Sequence, residues 1–244
     1  VDDDCDGTAD EDFQSILAAY NLGTYTHAEA IKQGTVQTNY IIHTSQSKYV
    51  FRYYENRSKK SVLFESDLIA YLVAHQYPCP AQQKNKLGTY VGQYSKKPFV
   101  ITEFVSGHTI EQPTAYHWQQ LVQKVAELQK VTKDFHSTYT AHRWNYTPDL
   151  CKSLARSKAL QINTESAHKK YQWLEDTLTK LNLPTSHPKG ICHCDFHFSN
   201  VLFQDDAFTA LLDFDDSNYT YLQFDLVGLI EYWAWPHTAK VLDL

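Results

Sequence analysis

Between Gly190 and Asp216 the chain reads Gly190-Ile-Cys-His-Cys-Asp195-Phe-His-Phe-Ser-Asn200-Val-Leu-Phe203, then Gln204-Asp205-Asp206, then Ala207-Phe-Thr-Ala-Leu-Leu-Asp213-Phe-Asp215-Asp216. Val201–Phe203 and Phe208–Leu212 are apolar, β-prone runs about a polar turn, a pattern that predicts a β-hairpin. Residues equidistant from the turn face each other in an antiparallel pair; Asn200 and Asp213 are nearly so, and both emerge at the open end. An amide oxygen and a carboxylate placed there form a hard-oxygen pair suited to Mg²⁺. Asp195 lies on the loop entering the hairpin, where a carboxylate can accept or orient the proton of a hydroxyl that attacks a metal-bound phosphoryl group.

Outward from this stretch the chain divides in character near Ser106-Gly107. The preceding part predicts a short helix at Phe13–Tyr20 and strands at His27–Lys32, Asn39–Thr44 and Lys48–Tyr53. A helix follows over Ser61–His75, then strands at Tyr90–Tyr94 and Phe99–Phe104 about a Ser-Lys-Lys-Pro turn. Pro78 and Pro80 stop the helix from continuing. After Gly107 the periodicity is helical over Tyr116–Phe135 and Lys169–Leu181, while residues 136–168 are polar and show no clear pattern. The expected organisation is an acidic disordered leader at 1–12, a strand-rich lobe at 13–106 and a larger, mainly helical lobe at 107–244, an α+β architecture. Asp2, Asp4, Asp6 and Gly7 imitate the start of an EF-hand loop, but Phe13 stands where the bidentate Glu is required, so calcium binding is not expected.

The 244 residues are 43% hydrophobic, enough for a substantial core, and contain no apolar run long enough to span a membrane. A net charge of −6 with scattered basic residues disfavours nucleic acid as a partner. Five cysteines without a framework spacing read as reduced, in a cytoplasmic protein.

The order Asp195-x-x-x-x-Asn200 followed by Asp213-Phe214-Asp215 resembles the catalytic loop and metal-binding Asp of the kinase-like fold. With His193 before it and a short hairpin behind it, the stretch is similar to the aminoglycoside phosphotransferase and choline kinase superfamily, which includes homoserine kinases of that fold. The resemblance implies a bilobal protein-kinase-like fold and an ATP- and Mg²⁺-dependent transfer to a hydroxyl of a small molecule, an amino alcohol such as homoserine being the expected acceptor. It implies Asp195 as catalytic base, Asn200 and Asp213 as Mg²⁺ ligands, and Asp225 as a support of the catalytic loop. In the first half, Lys48–Arg52 resembles the strand that carries a phosphate-contacting cation, which makes Arg52 that residue and Glu65 on the next helix its ion-pair partner. Gln33–Asn39, with Gly34 alone for a glycine-rich loop, takes the position of the phosphate cover, and the backbone from Glu103 to Val105 that of the adenine-binding hinge. The family also adds several helices to build the substrate pocket, whereas 31 residues follow Asp213, so part of that pocket is expected to be missing.

Other readings stand beside these. Aminoglycosides, choline or ethanolamine are alternative acceptors, and an inactive nucleotide-binding module is an alternative from another class. No GxxxxGK[ST] loop occurs, and no Ala-Pro-Glu segment follows Asp213, which counts against P-loop enzymes and protein kinases. Cys192, His193, Cys194 and His197 are too crowded for paired zinc ligands; the cysteines are expected to pack as small hydrophobes and His193 to make a structural hydrogen bond. Asp215 either assists the metal or caps a turn, and Asp216 is expected to cap the turn. Glu231, Tyr232, Trp233 and Trp235 could hold a cationic amine by cation–π contact or simply fill a core. Arg52 itself could be an exposed strand residue paired with Glu55.

Overall fold

A computed structural model describes residues 8–32, 36–145, 147–181 and 186–234, with side chains from 12 to 230. The amino-terminal half is one antiparallel sheet in the order β1-β2-β3-β5-β4, formed by Tyr25–Ala30, Thr38–Thr44, Lys48–Tyr53, Gly92–Tyr94 and Lys97–Glu103 in chain order. Alternation sorts its two faces. Tyr25, Ile42, Phe51, Phe99 and Ile101 are packed together with Phe13, Leu17 and Tyr20, which come from helix α1 (Thr8–Leu17) and the turn after it. This anchoring explains why α1 starts at Thr8, inside the segment expected to be a disordered leader. Phe13, which took the place of a calcium ligand, is a core residue.

The opposite face of the sheet carries Arg52 and packs on helix α2 (Lys59–Ala74), capped by Ser58, whose side chain accepts from the Ser61 N–H. Phe64, Leu68, Ile69 and Leu72 of α2 share the largest core with Leu121, Val125 and Leu128 of α3 (Ala115–Val131) and with Phe196, Phe198, Val201, Phe203 and Leu211. Packing therefore runs across the change of character at Ser106-Gly107. The chain crosses there with Gly107 at φ 154, where a Cβ would approach Leu202 Cβ and Phe203 O to 3.0 Å. The next residue, His108, exchanges two backbone hydrogen bonds with Phe203.

The hairpin is present as β7 (Val201–Gln204) and β8 (Ala207–Leu211), with Asp205 and Asp206 both left-handed at the turn. This conformation gives a two-residue turn the twist its strands need, and Asp tolerates it better than most side chains. Two short strands, β6 (Lys189–Cys192) and β9 (Asn218–Tyr221), pair around the hairpin and hold its two ends. Helices α4 (Pro148–Ile162) and α5 (Glu165–Lys180) pack mainly on each other, and α6 (Phe224–Ala234) follows β9. Helix α4 was not expected from the polar stretch in which it lies. Among the described residues, no helix is long and apolar enough to cross a membrane.

Candidate active site

The ribbon assembles the predicted residues at its open end. Leu212 N–H donates to the Asn200 carbonyl at 2.8 Å, so Asn200 stands beside the residue that precedes Asp213. Asn200 Nδ2 in turn donates to both the carbonyl and the carboxylate of Asp195, at 3.0 and 2.7 Å. With the amide nitrogen fixed between two acceptors, Asn200 Oδ1 is turned away from Asp195. Both aspartates are held by unusual backbone: Asp213 is left-handed (φ 61, ψ 65), and so is Cys194 immediately before Asp195 (φ 65). Strain of this kind persists only where surrounding contacts enforce it, and it concentrates at working sites.

Those contacts are visible. Asp225, almost fully buried, accepts the N–H groups of His193 and Cys194 at 3.2 and 2.8 Å and so locks the bend before Asp195. Burial raises the Asp225 carboxyl above the usual range, against the pull of these hydrogen bonds. The His193 ring lies 2.8 Å from the Leu212 carbonyl, the structural bond expected of it, and ties the loop to the end of β8. Cys192 is buried and its thiol points at the Tyr221 carbonyl, in keeping with packing as a small hydrophobe.

Asp195 remains accessible, with 42% of its side chain exposed. His197 Nε2 lies 3.0 Å from Asp195 Oδ1, and Ser199 Oγ lies 2.7 Å from His197 Nδ1. The hydrogen bond from His197, helped by that from Asn200, holds the Asp195 carboxyl below the usual carboxylate range despite partial burial. Sequence reasoning had not assigned His197 or Ser199 a role beside this carboxylate.

Across the cleft, Arg52 Nη2 reaches Asp213 Oδ1 at 2.7 Å and lies 3.9 Å from Asp215. Burial works against the guanidinium charge, but Asp213, foremost among its acidic neighbours, keeps its pKa above the ordinary arginine value. The expected Arg52–Glu65 pair is not formed. Glu65 is fully enclosed and accepts instead from the Tyr54 hydroxyl at 2.6 Å. Desolvation pushes its pKa up to about 7 against the pull of Arg52, whose own hydrogen bond goes to Asp213. Nor is Arg52 an exposed partner of Glu55, which pairs with Lys97 at 2.5 Å.

Asp215 is the better-satisfied carboxylate of the pair after the hairpin. Arg57 Nε and Nη2 donate to its two oxygens at 2.7 and 3.2 Å, and Gln37 Nε2 donates at 2.7 Å. Burial would raise its pKa, but Arg57 and Arg52 outweigh it and hold the group low. Asp216, expected to cap the turn, accepts a further bond from Arg57 at 2.9 Å. Beneath them Arg143, itself buried, donates to the carbonyls of Ser61, Phe214, Asp215 and Ser217 and to the Ser61 hydroxyl. Arg57 and Arg143 had escaped sequence reasoning, although the Glu55-Asn-Arg57 turn directly after β3 placed one cation near the cleft, and Gln37, read within the phosphate cover, had not been linked to Asp215.

At the other end of the sheet, Glu103 is exposed; its N–H donates to Ala81 O and its carboxylate accepts from Ala81 N–H, each at 2.9 Å. From there the chain runs through half-buried Val105 to Gly107 without helix or strand. Gly34 and Trp235 lie outside the described residues, as do the side chains of Glu231, Tyr232 and Trp233.

The sequence pattern of the phosphotransferase enzyme family (APH) matches residues 27–243. Among curated proteins, homoserine kinase of Bartonella henselae is 25% identical over 235 residues, covering 93% of this chain and 70% of that protein. Homoserine kinase of Methylobacterium sp. is 27% identical over 232 residues, covering 92% and 70%. Among solved structures, an amicoumacin kinase in complex with AMP-PNP and Ca²⁺ superimposes with a TM-score of 0.71 at 17% identity, over 94% of this chain and 72% of that one. A microcompartment-associated aminopropanol kinase gives 0.64 at 15% identity, over 90% and 73%. The chain shares its bilobal kinase-like fold with these solved structures, and it belongs to the phosphotransferase enzyme family as an ATP-dependent small-molecule kinase.

Proposed function

We propose that the protein transfers the γ-phosphoryl group of MgATP to the hydroxyl of an amino alcohol, with homoserine as the first acceptor to test. The observation that carries this reading is the convergence of Asp195, Asn200 and Asp213 at one end of the ribbon, with Arg52 facing them. The donor set fits a hard divalent cation. Asn200 offers an amide oxygen that faces away from Asp195, and Asp213 offers a carboxylate with 37% of its side chain exposed. Magnesium bound there would neutralise charge on the phosphoryl oxygens during transfer.

The chain's own residues do the rest. Asp195, held low in pKa, is an ionised acceptor at neutral pH; it orients the acceptor hydroxyl and takes its proton as the bond to phosphorus forms. A weak base suffices because a loose phosphoryl-transfer transition state asks little of the base before the leaving group departs. Arg52 neutralises Asp213 in the free protein and turns to phosphate oxygens once that carboxylate is engaged. The hinge backbone at Glu103 to Val105 receives the adenine. Homoserine is preferred because the curated relatives bear that name at 23–27% identity, and the name aminopropanol kinase on a structural neighbour widens the class to amino alcohols.

A coupled ADP-release assay with MgATP and a panel of homoserine, aminopropanol, choline, ethanolamine and aminoglycosides tests the reading. Turnover with an amino alcohol that disappears in Asp195→Asn supports it. Turnover with aminoglycosides alone, or ATP binding without transfer to any acceptor, overturns it.

A further inference from the structure

Away from the catalytic ribbon, the outer corner of the sheet gathers two imidazoles and a carboxylate. Among the described residues, His27, Glu29 and His43 are the one group of three metal-capable side chains whose ligand atoms lie within 4.8 Å of one another. We propose that they form a binding site for a borderline divalent cation of the zinc class, separate from the magnesium position.

The backbone builds this corner through an irregularity. Tyr25 pairs with Thr44, and a regular ladder would then set His27 opposite Ile42 and point it, like Tyr25, into the core under α1. The register instead shifts at Thr26, so His27 stands opposite His43 and Glu29 opposite Ile41. One extra residue therefore carries two side chains out of the apolar core and onto the Arg52 face of the sheet. The two imidazoles stack with centroids 4.0 Å apart and rings inclined by 17°.

Distances agree with a shared ion. Glu29 Oε1 lies 3.4 Å from His27 Nε2 and 3.0 Å from His43 Nε2. Ligand atoms about 2.0–2.1 Å from a tetrahedral zinc are separated from each other by roughly 3.3 Å. A hydrogen-bonded cluster could show similar spacing, but His43 Nε2 is buried and makes no hydrogen bond of acceptable geometry, even to the carboxylate 3.0 Å away. The stacked rings, inclined by 17°, do not aim both lone pairs at one point, so taking up an ion turns the exposed His27 ring about its side-chain torsions. Thr26 Oγ1 lies 3.4 Å from His27 Nδ1, so the other ring nitrogen is left for the ion. Lys48, the cross-strand neighbour of His43, is drawn off over the Phe104 ring at 5.7 Å. Two nitrogens and one oxygen select zinc, nickel, cobalt or copper over magnesium or calcium, and leave a coordination position open. Lys48, beside the cluster, and Arg52, beside Asp213, stand four residues apart on β3, on the order of 13 Å.

The test is a Co²⁺ titration of the whole chain in excess Mg²⁺, read by visible absorption, with Zn²⁺ competition. One equivalent is expected, with ligand-field bands and no thiolate charge-transfer band, displaced by Zn²⁺. His43→Ala, His27→Ala and Glu29→Gln are each expected to weaken binding at least about tenfold, while retaining the melting temperature and the affinity for MgADP. The exposed His27 keeps the series informative if His43→Ala unfolds. No binding, binding that all three variants retain, or a thiolate band from cysteine ligation would overturn the proposal. None of these readouts depends on which hydroxyl the enzyme phosphorylates.

Discussion

Four of the aspartates at and around the open end of the ribbon divide into two kinds. Asp195 and Asp213 face the cleft with 42% and 37% of their side chains exposed, whereas 7% of Asp215 is exposed and Asp225 is almost wholly enclosed. The outer pair is held by side chains, Asp195 by His197 and Asn200 and Asp213 by Arg52, and stays open to a metal or a hydroxyl. The inner pair is saturated: Asp215 by Arg57 and Gln37, Asp225 by two backbone N–H groups. Identical side chains thus differ in how far the fold leaves them open to the cleft, and the proposed function assigns the chemistry to the open pair.

Substitution on the outer side should harm activity without harming the fold. Asp195→Asn is expected to reduce kcat by roughly 10²–10⁴-fold with an unchanged melting temperature; a parallel loss of stability would erase the distinction between the two kinds. Substitution on the inner side should do the reverse first. Asp225→Ala leaves two buried N–H groups unsatisfied and is expected to cost about 2–4 kcal/mol in denaturant unfolding. A cost below about 0.5 kcal/mol, the level of ordinary surface changes, would mean that the loop does not need this anchor.

Arg52 touches both kinds and should show an intermediate effect. Arg52→Ala is expected to raise KM for ATP at least about tenfold, equivalent to about 1.4 kcal/mol, and an unchanged KM would remove it from the site. A pH slope, rather than a change at one pH, is expected of Glu65, which sits behind Arg52. Its folded-state pKa of about 7 lies above the ordinary 4.5. The unfolded chain therefore loses this proton first, and the stability contribution present below pH 4.5 is lost as pH rises to about 7. Comparing urea midpoints of the parent and Glu65→Gln over that window should show a shallower decline in the variant, by at most about 1.4 kcal/mol per pH unit. Parallel pH profiles would show that Glu65 is not the titrating group.

What the sequence disclosed follows the range of the forces involved. The hairpin, Lys48–Tyr53 and the helix after it were legible because periodicity and turn residues are local. Asp195, Asn200 and Asp213 were legible because the ribbon brings them together through short-range register. Arg143 was not, since it bonds carbonyls more than 70 residues away from within a polar stretch. Strands β6 and β9 have four residues each and pair across the whole hairpin, too short to show a pattern. Helix α4 buries only Ala159, so it lacks an apolar stripe, although Thr147-Pro148 is a helix-start signature that could have revealed it. The Glu65 assignment failed for a different reason. Spacing placed the carboxyl near Arg52, but spacing does not say which partner each group meets: Glu65 accepts from Tyr54, and Arg52 donates to Asp213.

The strap at Gly107-His108 acts as a gauge. His108 and Phe203 exchange hydrogen bonds of 3.0 and 2.9 Å, riveting the exit of the sheet to the middle of the ribbon. The reach from the segment at 103–105 to the Asn200 end is thereby measured off in main chain, whatever side chains line the gap. A molecule bridging those two points meets a ruler of fixed length, and Gly107, which has no Cβ, lets the rivet close.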